Sequence, residues 1–132
     1  MVLRPGLAGA VTRVVDRSMT AAAAGSGLVA GLATPVMIGL MEGAAVEAVQ
    51  PCLAAGLSTV GTRVEVEHLA PTPVGMQVTA RATLDVVDGR RLVFSVTAED
   101  EVGLVGRGTH ERFIVDRDGF ARRLANRGSR QS

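Results

Sequence analysis

The sequence predicts an α+β fold in which one long apolar helix is wrapped by a curved antiparallel β-sheet. Three observations predict it. Thr34-Pro35 opens an apolar stretch that runs to about Ala55 with Glu42 and Glu47 as its only charges. Downstream, residues 58–116 read as four segments with period-two alternation. The helical stretch is apolar on more than one side, so the sheet must curve around it rather than cover one stripe. A chain of 132 residues that is 47% apolar forms one domain, residues 1–132, with a modest core.

Taken in order, Ala10–Arg17 is a short strand candidate, after a first stretch, residues 1–9, expected to fray. Met19–Ala33 is rich in Ala and Gly and reads as a flexible loop or lid. Thr34 suits an N-cap and Pro35 the first helical position. Met37, Leu40, Met41, Ala44, Ala48, Val49 and Cys52 mark one apolar stripe, Pro51 weakens the last turn, and Gly56 is a natural stop. Ser58–Leu69 is a strand. Met76–Val87 alternates, with Met76, Val78, Ala80, Ala82, Leu84 and Val86 on one face. Asp88-Gly89 signals a tight turn, and Arg91–Glu99 returns with Leu92, Phe94, Val96 and Ala98 inward. Val105–Asp116 is the last strand and Phe120–Ala125 a short helix, with residues 127–132 expected to fray. So short a sheet leaves edge strands, and pairing them across a homodimer is the usual remedy.

Composition excludes several classes of function. All 14 basic residues are Arg, so lysine Schiff-base, pyridoxal-phosphate and Walker A chemistry have no residue to carry them. A net charge of +1 and only three Phe, with no Tyr or Trp, argue against nucleic-acid binding. Cys52 is alone, so no disulfide forms within the chain, and with two His no zinc-ligand set is expected. Met19–Met41 runs 23 residues without a charge, but its Gly, Pro and hydroxyl residues read as loop rather than membrane span. The expected setting is cytoplasmic, with no membrane partner.

Two residues stand out as chemistry. Glu42 is the only charge between Arg17 and Glu47, and a carboxylate in an apolar helix costs several kcal/mol unless paired or protonated. His68 ends the strand Thr62–His68 in phase with Val64 and Val66, which points its imidazole to the apolar side. A carboxylate and an imidazole aimed at one core suggest an acid/base site. Each residue also has a plain structural reading: Thr34 as an N-cap, Glu42 as an ion-pair partner of an Arg, His68 and His110 as ordinary histidines.

The string Ala33-Thr34-Pro-Val-Met-Ile-Gly-Leu-Met-Glu42, then Gly61-Thr62 leading to His68, then Gly106-Arg-Gly-Thr-His-Glu-Arg112, resembles the fluoroacetyl-CoA thioesterase family over about residues 28–116. The resemblance implies a hot-dog fold and hydrolysis of a small acyl-CoA thioester by a threonine, a glutamate and a histidine. These fall on Thr34, Glu42 and His68, with Gly61 and Arg112 at the acyl end of the site. Two departures leave the acyl group open. Pro35 follows the threonine where glycine is expected, and Gly25–Leu32 lacks the phenylalanines of the fluoroacetyl-specific enzyme.

Thioester hydrolysis needs a nucleophile, a base and oxyanion donors. His68 suits the base. Glu42 would orient the imidazole, activate water or form an anhydride, and Thr34 would accept the acyl group or hold the water. Backbone N–H groups at the start of the helix, from Val36 and Met37 to Ile38, suit the oxyanion. No cofactor is expected beyond the CoA of the substrate. Thr34 and Glu42 lie eight residues apart, about 12 Å of helical rise. They meet only if the chain before Pro35 folds back or if a dimer completes the site. The alternatives are a hydratase or dehydratase on the same fold, a non-catalytic acyl-CoA or small-ligand binding protein, and a thioesterase acting on an acyl carrier protein. The Arg-rich stretch Arg117–Arg130 reads as a solvated face.

Overall fold

A computed structural model describes residues 2–130. Five antiparallel strands form one sheet in the order β1-β3-β4-β5-β2: β1 (Ala8–Val14), β2 (Leu57–His68), β3 (Gln77–Asp88), β4 (Arg91–Asp100) and β5 (Leu104–Asp116). Between β1 and β2 lie a single-turn helix, α1 (Ala21–Ala24), and the long helix α2 (Thr34–Val49). Helix α3 (Arg117–Ser129) follows β5. The edges of the sheet are β1 and β2.

Helix α2 is apolar nearly all round, so side-chain size, not amphipathicity, decides which side packs where. Its small residues turn to β1. Ala44 and Ala48 are buried there, and a Cβ on Gly9 of β1 would run into the Ala44 carbonyl oxygen and the Ala48 nitrogen. Met37 reaches the far side, where its sulfur would meet a Cβ on Gly106 of β5 at 2.6 Å. The core between helix and sheet is aliphatic, built on Met37, Met41, Val49, Val78, Leu84, Leu92, Val96 and Val105, with Phe94 its one aromatic carbocycle.

The expected alternation holds over most of β3 and β4. Val78, Ala80, Ala82 and Leu84, then Leu92, Phe94, Val96 and Ala98, all face the helix and are buried. It fails at Val86, which is 43% exposed. A β-bulge between Leu84 and Val86 inserts Asp85, which accepts a hydrogen bond from Ser95 Oγ, and this turns Val86 outward beside Val93 and brings Val87 against the core. Val64 is also more exposed than its phase implies, because α2 lies over the β1 side and leaves the β2 edge less covered.

Several boundaries differ from the sequence reading; among them, β1 ends at Val14 rather than Arg17, which instead opens a 3₁₀ turn, and α3 begins at Arg117 rather than Phe120. The long helix stops at Val49, not near Ala55, and a 3₁₀ turn over Gln50–Cys52 takes its place. Pro51 has no N–H for the ladder, so the chain tightens and leaves the helix there. The Gln50 amide then ties the helix end to β2, donating to the Leu57 carbonyl at 2.9 Å and accepting from Ser58 Oγ at 3.0 Å. Strand β1 starts at Ala8, and α3 extends to Ser129 behind an Asp116 N-cap, so residues 8–9 and 127–129, within the stretches expected to fray, belong to regular elements. Met1, Gln131 and Ser132 lie outside the described residues.

The stretch expected to be a flexible lid is instead pinned by backbone hydrogen bonds. Thr20 caps α1 through Ala23 N–H, and Gly25 ends it in the left-handed region at φ +73°. Ala21 N–H donates to Gly31, Ala22 N–H to Val29, Leu32 N–H to Thr72 and Ala33 N–H to Met19. The stretch is held by its backbone rather than buried: residues 22–30 are exposed, Leu28 fully and Val29 largely so. Thr72, fully buried, locks the base by donating from Oγ1 to Asp100 Oδ2 at 2.8 Å. For Asp100, burial alone would raise the pKa. The bonds from Val102 N–H, Thr72 Oγ1 and Gly103 N–H outweigh it and leave the carboxyl below its ordinary value.

Two stability predictions follow from this packing. Gly9→Ala should lower stability by about 1–3 kcal/mol, because the new methyl meets helix backbone that has no rotamer to yield; the shift in urea midpoint measures it. Thr72→Val should cost about 1.5–3 kcal/mol at neutral pH, the range for a bond to a charged group. A depressed folded-state pKa gives stability that is present above the unfolded pKa and lost as pH falls through the folded one. The difference between Thr72→Val and the parent should therefore shrink as urea melts are taken down through the carboxylate range. A difference that stays constant would remove Asp100 from the lock.

Candidate active site

The sequence-predicted residues fall into two clusters, one at each end of the first half of α2. Thr34 is the first helical residue and Ala33 is the N-cap, in extended conformation with no side-chain bond. The expected Thr34 cap is therefore not made. Pro35 at the next position has no N–H to be capped, and the Thr34 hydroxyl is used elsewhere: Oγ1 lies 2.8 Å from Nδ1 of His68, the last residue of β2. His68 Nε2 is buried and has no hydrogen-bond partner among the described residues. A buried ring nitrogen left in this way is a place for a polar atom of a ligand or a water. If the hydroxyl donates to Nδ1, Nε2 carries the hydrogen; if Nδ1 donates, Nε2 offers a lone pair.

Thr34 and His68 border a cavity of about 380 Å³. The rest of its lining is mainly aliphatic, including Ala21, Val29, Leu32, Leu69 and Pro71, with Ser26 adding one hydroxyl and no further charge or aromatic ring. The helix start faces the same end of the molecule. Met37 does not offer its N–H there, contrary to expectation. The group donates to the Ala33 carbonyl at 3.0 Å, and the side chain is fully buried in the core. Val36, half-buried, and Thr34 show no backbone acceptor for their N–H groups among the described residues, so both are open donors of the first turn.

The second cluster is built on Arg112. Its side chain is 7% exposed, on the inward face of β5, and its fork is held at three points. Nε donates to Thr59 Oγ1 at 2.8 Å, Nη2 to the Thr59 carbonyl at 3.0 Å, and Nη1 to His110 Nε2 at 3.1 Å. The guanidinium faces Glu42, whose Oε2 lies 3.7 Å from Nη1, an ion pair too long for a good hydrogen bond. Glu42 is not sunk in the core as the sequence suggested; its side chain is 41% exposed. Burial lowers the Arg112 pKa and the Glu42 charge opposes that. Gly61 sits across from Arg112 on β2, at a bulge, and a Cβ there would lie 2.9 Å from Glu42 Oε2. Glycine thus leaves the room in which the carboxylate sits.

The structure therefore brings Thr34 to His68, and Glu42 to Arg112 and Gly61, but does not join the pairs within one chain. Thr59 and His110 are the members of the second cluster that the sequence reading missed. A period-two reading of His110 and Arg112, and of Thr59 and Gly61, would have put each pair on one face. No group of three His, Cys, Asp or Glu side chains suited to a metal occurs among the described residues, and no helix is long and apolar enough to cross a membrane.

Comparison with known proteins gives a consistent result. The family model for fluoroacetyl-CoA-specific thioesterase matches residues 15–118. The fluoroacetyl-CoA thioesterase of Streptantibioticus cattleyicolor is 47% identical over 88 residues, 67% of this chain and 63% of that protein, so the match spans less than two thirds of that relative's length. Among solved structures, a fluoroacetyl-CoA thioesterase superposes with a TM-score of 0.89 at 35% identity, covering 94% of this chain and 96% of that one. A thioesterase superfamily member from Thermus thermophilus gives 0.85 at 31% identity, with 96% of each chain covered. A hot-dog-like protein from Thermanaerovibrio acidaminovorans gives 0.84 at 33%, covering 93% and 91%. The fold is the hot-dog fold.

Proposed function

The chain belongs to the fluoroacetyl-CoA-specific thioesterase family, and on that premise we propose that it is an acyl-CoA thioesterase that hydrolyses a short or small acyl-CoA to the acid and CoA. The observation that carries this reading is the 2.8 Å contact of Thr34 with His68 beside an aliphatic cavity, with His68 Nε2 left open. The nucleophile is an oxygen, either Thr34 Oγ1 or a water held by it. It gives its proton to His68 and attacks the thioester carbon. The Val36 N–H, at the positive end of α2, faces the oxyanion. The tetrahedral centre collapses, the C–S bond breaks, and the CoA sulfur leaves with the proton from His68. If Thr34 is the nucleophile, a water hydrolyses the acyl-enzyme in a second round. Glu42 supplies the negative charge that supports the imidazolium or orients the water, while Gly61 and Arg112 line the acyl end. CoA enters as part of the substrate, and the chemistry uses no further cofactor.

A homodimer is part of this proposal, and the cytoplasm is its setting. Thr34 and Glu42 lie on one helix at about 12 Å of rise, too far for one small acyl group to touch both. The free edge of β2, 12 residues long, supports a partner strand. Antiparallel pairing of two β2 edges runs them in opposite directions, so the His68 end of one copy approaches the Gly61 end of the other. Each site then takes Thr34 and His68 from one protomer and Glu42 from its partner. The aliphatic lid tip, Leu28 and Val29, supports a small acyl group without singling out a fluorinated one.

The first test is thiol release from a panel of acyl-CoAs running from acetyl and fluoroacetyl to octanoyl. Glu42→Gln should lower kcat by about 10²–10⁴-fold, with the thermal melt little changed. No release by folded protein from any member would overturn the reading. Light scattering should give at least twice the 13.6 kDa chain mass. Subunit mixing then tests the shared site. Glu42→Gln and His68→Ala are each expected to be inactive. Mixed one to one, half the dimers are hybrids with one intact site of two, so activity should return to about a quarter of the parent's. A mixture as dead as its components would place all three groups in one chain.

A further inference from the structure

We propose that His110 is a positioning residue: as a neutral, Nδ1-protonated imidazole it holds the Arg112 guanidinium, and through it the Glu42 carboxylate, in place for the thioester hydrolysis on whose assignment this inference rests.

The hydrogen bonds leave one tautomer. His110 is 1% exposed on the inward face of β5. Its Nδ1 lies 2.7 Å from the Arg63 carbonyl oxygen, which only accepts, so Nδ1 carries the hydrogen. Its Nε2 lies 3.1 Å from Arg112 Nη1, which only donates, so Nε2 offers its lone pair. A ring that donates at one nitrogen and accepts at the other is neutral. The ring is also clamped in space. Phe94 of β4 stacks on it at 6.2 Å, and a Cβ on Gly61 of β2 would come within 3.2 Å of Cε1.

The consequence runs through Arg112. Two of the anchors on its fork come from Thr59; the third is His110, on the same Nη1 that faces Glu42. Glu42 has no hydrogen bond of its own among the described residues, and Arg112 is its one ion-pair partner there. Whatever orients Nη1 therefore orients the carboxylate. Protonating His110 would set an N–H against an N–H and a cation against a cation.

The charged groups around the ring are few. Arg112 and Glu111 lie on its own strand, Glu42 faces it from α2, and β4 presents only Phe94. From β2, Arg63 offers its carbonyl, while its guanidinium pairs with Glu65 and Glu111. Burial lowers the His110 pKa and Arg112 adds to this, against the opposing pull of the Arg63 bond, Glu42 and Glu111. The net direction keeps the clamp intact at neutral pH and opens it on acidification.

The test uses the intact protein and two substitutions that divide the imidazole's roles. His110→Gln can still present an oxygen near the Nε2 position to accept from Arg112. His110→Asn reaches only the Nδ1 position and keeps the Arg63 contact alone. His110→Asn should lose about 10²-fold in kcat, the scale of a 1 Å misplacement, with KM little moved. His110→Gln should recover most of that rate, and the acid limb of its pH profile should lose one protonation relative to the parent. Nitrogen-15 spectra of the parent's imidazoles should show the Nδ1–H form of His110 at neutral pH, titrating below an ordinary histidine. Parent-like kcat in His110→Asn, or equal losses in both variants that track their melting temperatures, would overturn the proposal. So would an Nε2–H or charged His110 at neutral pH. If the parent hydrolyses no acyl-CoA, the thioesterase reading fails by itself. The clamp is then read from the spectra, where separate, slowly exchanging Arg112 Nη resonances support it and averaged ones sink it. The same spectra decide if His110→Asn does not fold.

Discussion

The depth at which α2 sits on the sheet controls nearly everything else in this molecule. On the β1 side Gly9 meets the Ala44 and Ala48 backbone directly, with no side chain between strand and helix. On the β5 side the spacer is Met37, a long flexible side chain pressed on Gly106. A helix held close on one side and spaced on the other leaves room under its β5 flank. Arg112 and His110 occupy that room, and Glu42 hangs over its rim. Larger residues at positions 9 or 44 would lift the helix and part Glu42 from Arg112 without changing either residue.

The Arg112 cluster is costly as a stabilising device. A buried guanidinium loses hydration, and an ion pair at 3.7 Å to a partly exposed carboxylate returns little of that cost. Apolar residues of similar volume would pack the same space with no charge to bury. The arrangement makes sense as orientation. Three anchors fix a rigid planar cation, and the carboxylate facing it is left short of hydrogen bonds and half open to solvent. An acceptor held but unsaturated is able to take up a new partner when one arrives. The outer face of the sheet shows the contrast. There Arg81 and Glu99 pair directly at 2.9 Å in solvent, and Glu111 is shared by Arg91 at 2.7 Å and Arg63 at 3.3 Å.

Much of this was legible in the sequence, for reasons that can be named. Period-two alternation placed β3, β4 and their core residues, since one face of each strand has only the helix to bury against. The lone Glu42 and the phase of His68 marked both clusters. Three things were not legible. A bulge at Asp85 adds one residue with no compositional mark, and it moved Val86 outward. The lid, read as loose from its Ala and Gly content, is held by backbone hydrogen bonds, which carry no side-chain signature. Thr34 is a good N-cap by residue type, yet its hydroxyl is claimed by His68, 34 residues away, because tertiary contact overrides local preference. His110 reads in the sequence as an ordinary histidine facing solvent or an interface, yet it is 1% exposed on the inward face of β5. In a strand, neighbours in sequence face opposite ways, so Glu111 says nothing about His110.

The requirements of stability and chemistry meet on β2. As an edge strand it exposes unpaired backbone along its length, and the apolar Val64 near its middle stands 39% exposed. The open edge favours a partner strand, and Val64 would be covered by it. The same strand carries His68 at one end and Thr59 and Gly61 toward the other, so its direction is also the direction in which the two half-sites are separated. Among the simple ways to cover such an edge, a parallel partner would bring like ends together, His68 beside His68. An antiparallel partner related by a two-fold axis brings unlike ends together at both places at once. The geometry that relieves the exposed edge is therefore the one that would close the 12 Å gap, about eight residues of helical rise, which no fold-back of a Pro35-anchored helix start can close. In the proposed dimer the incompleteness of each chain's site and the incompleteness of its sheet have a single remedy.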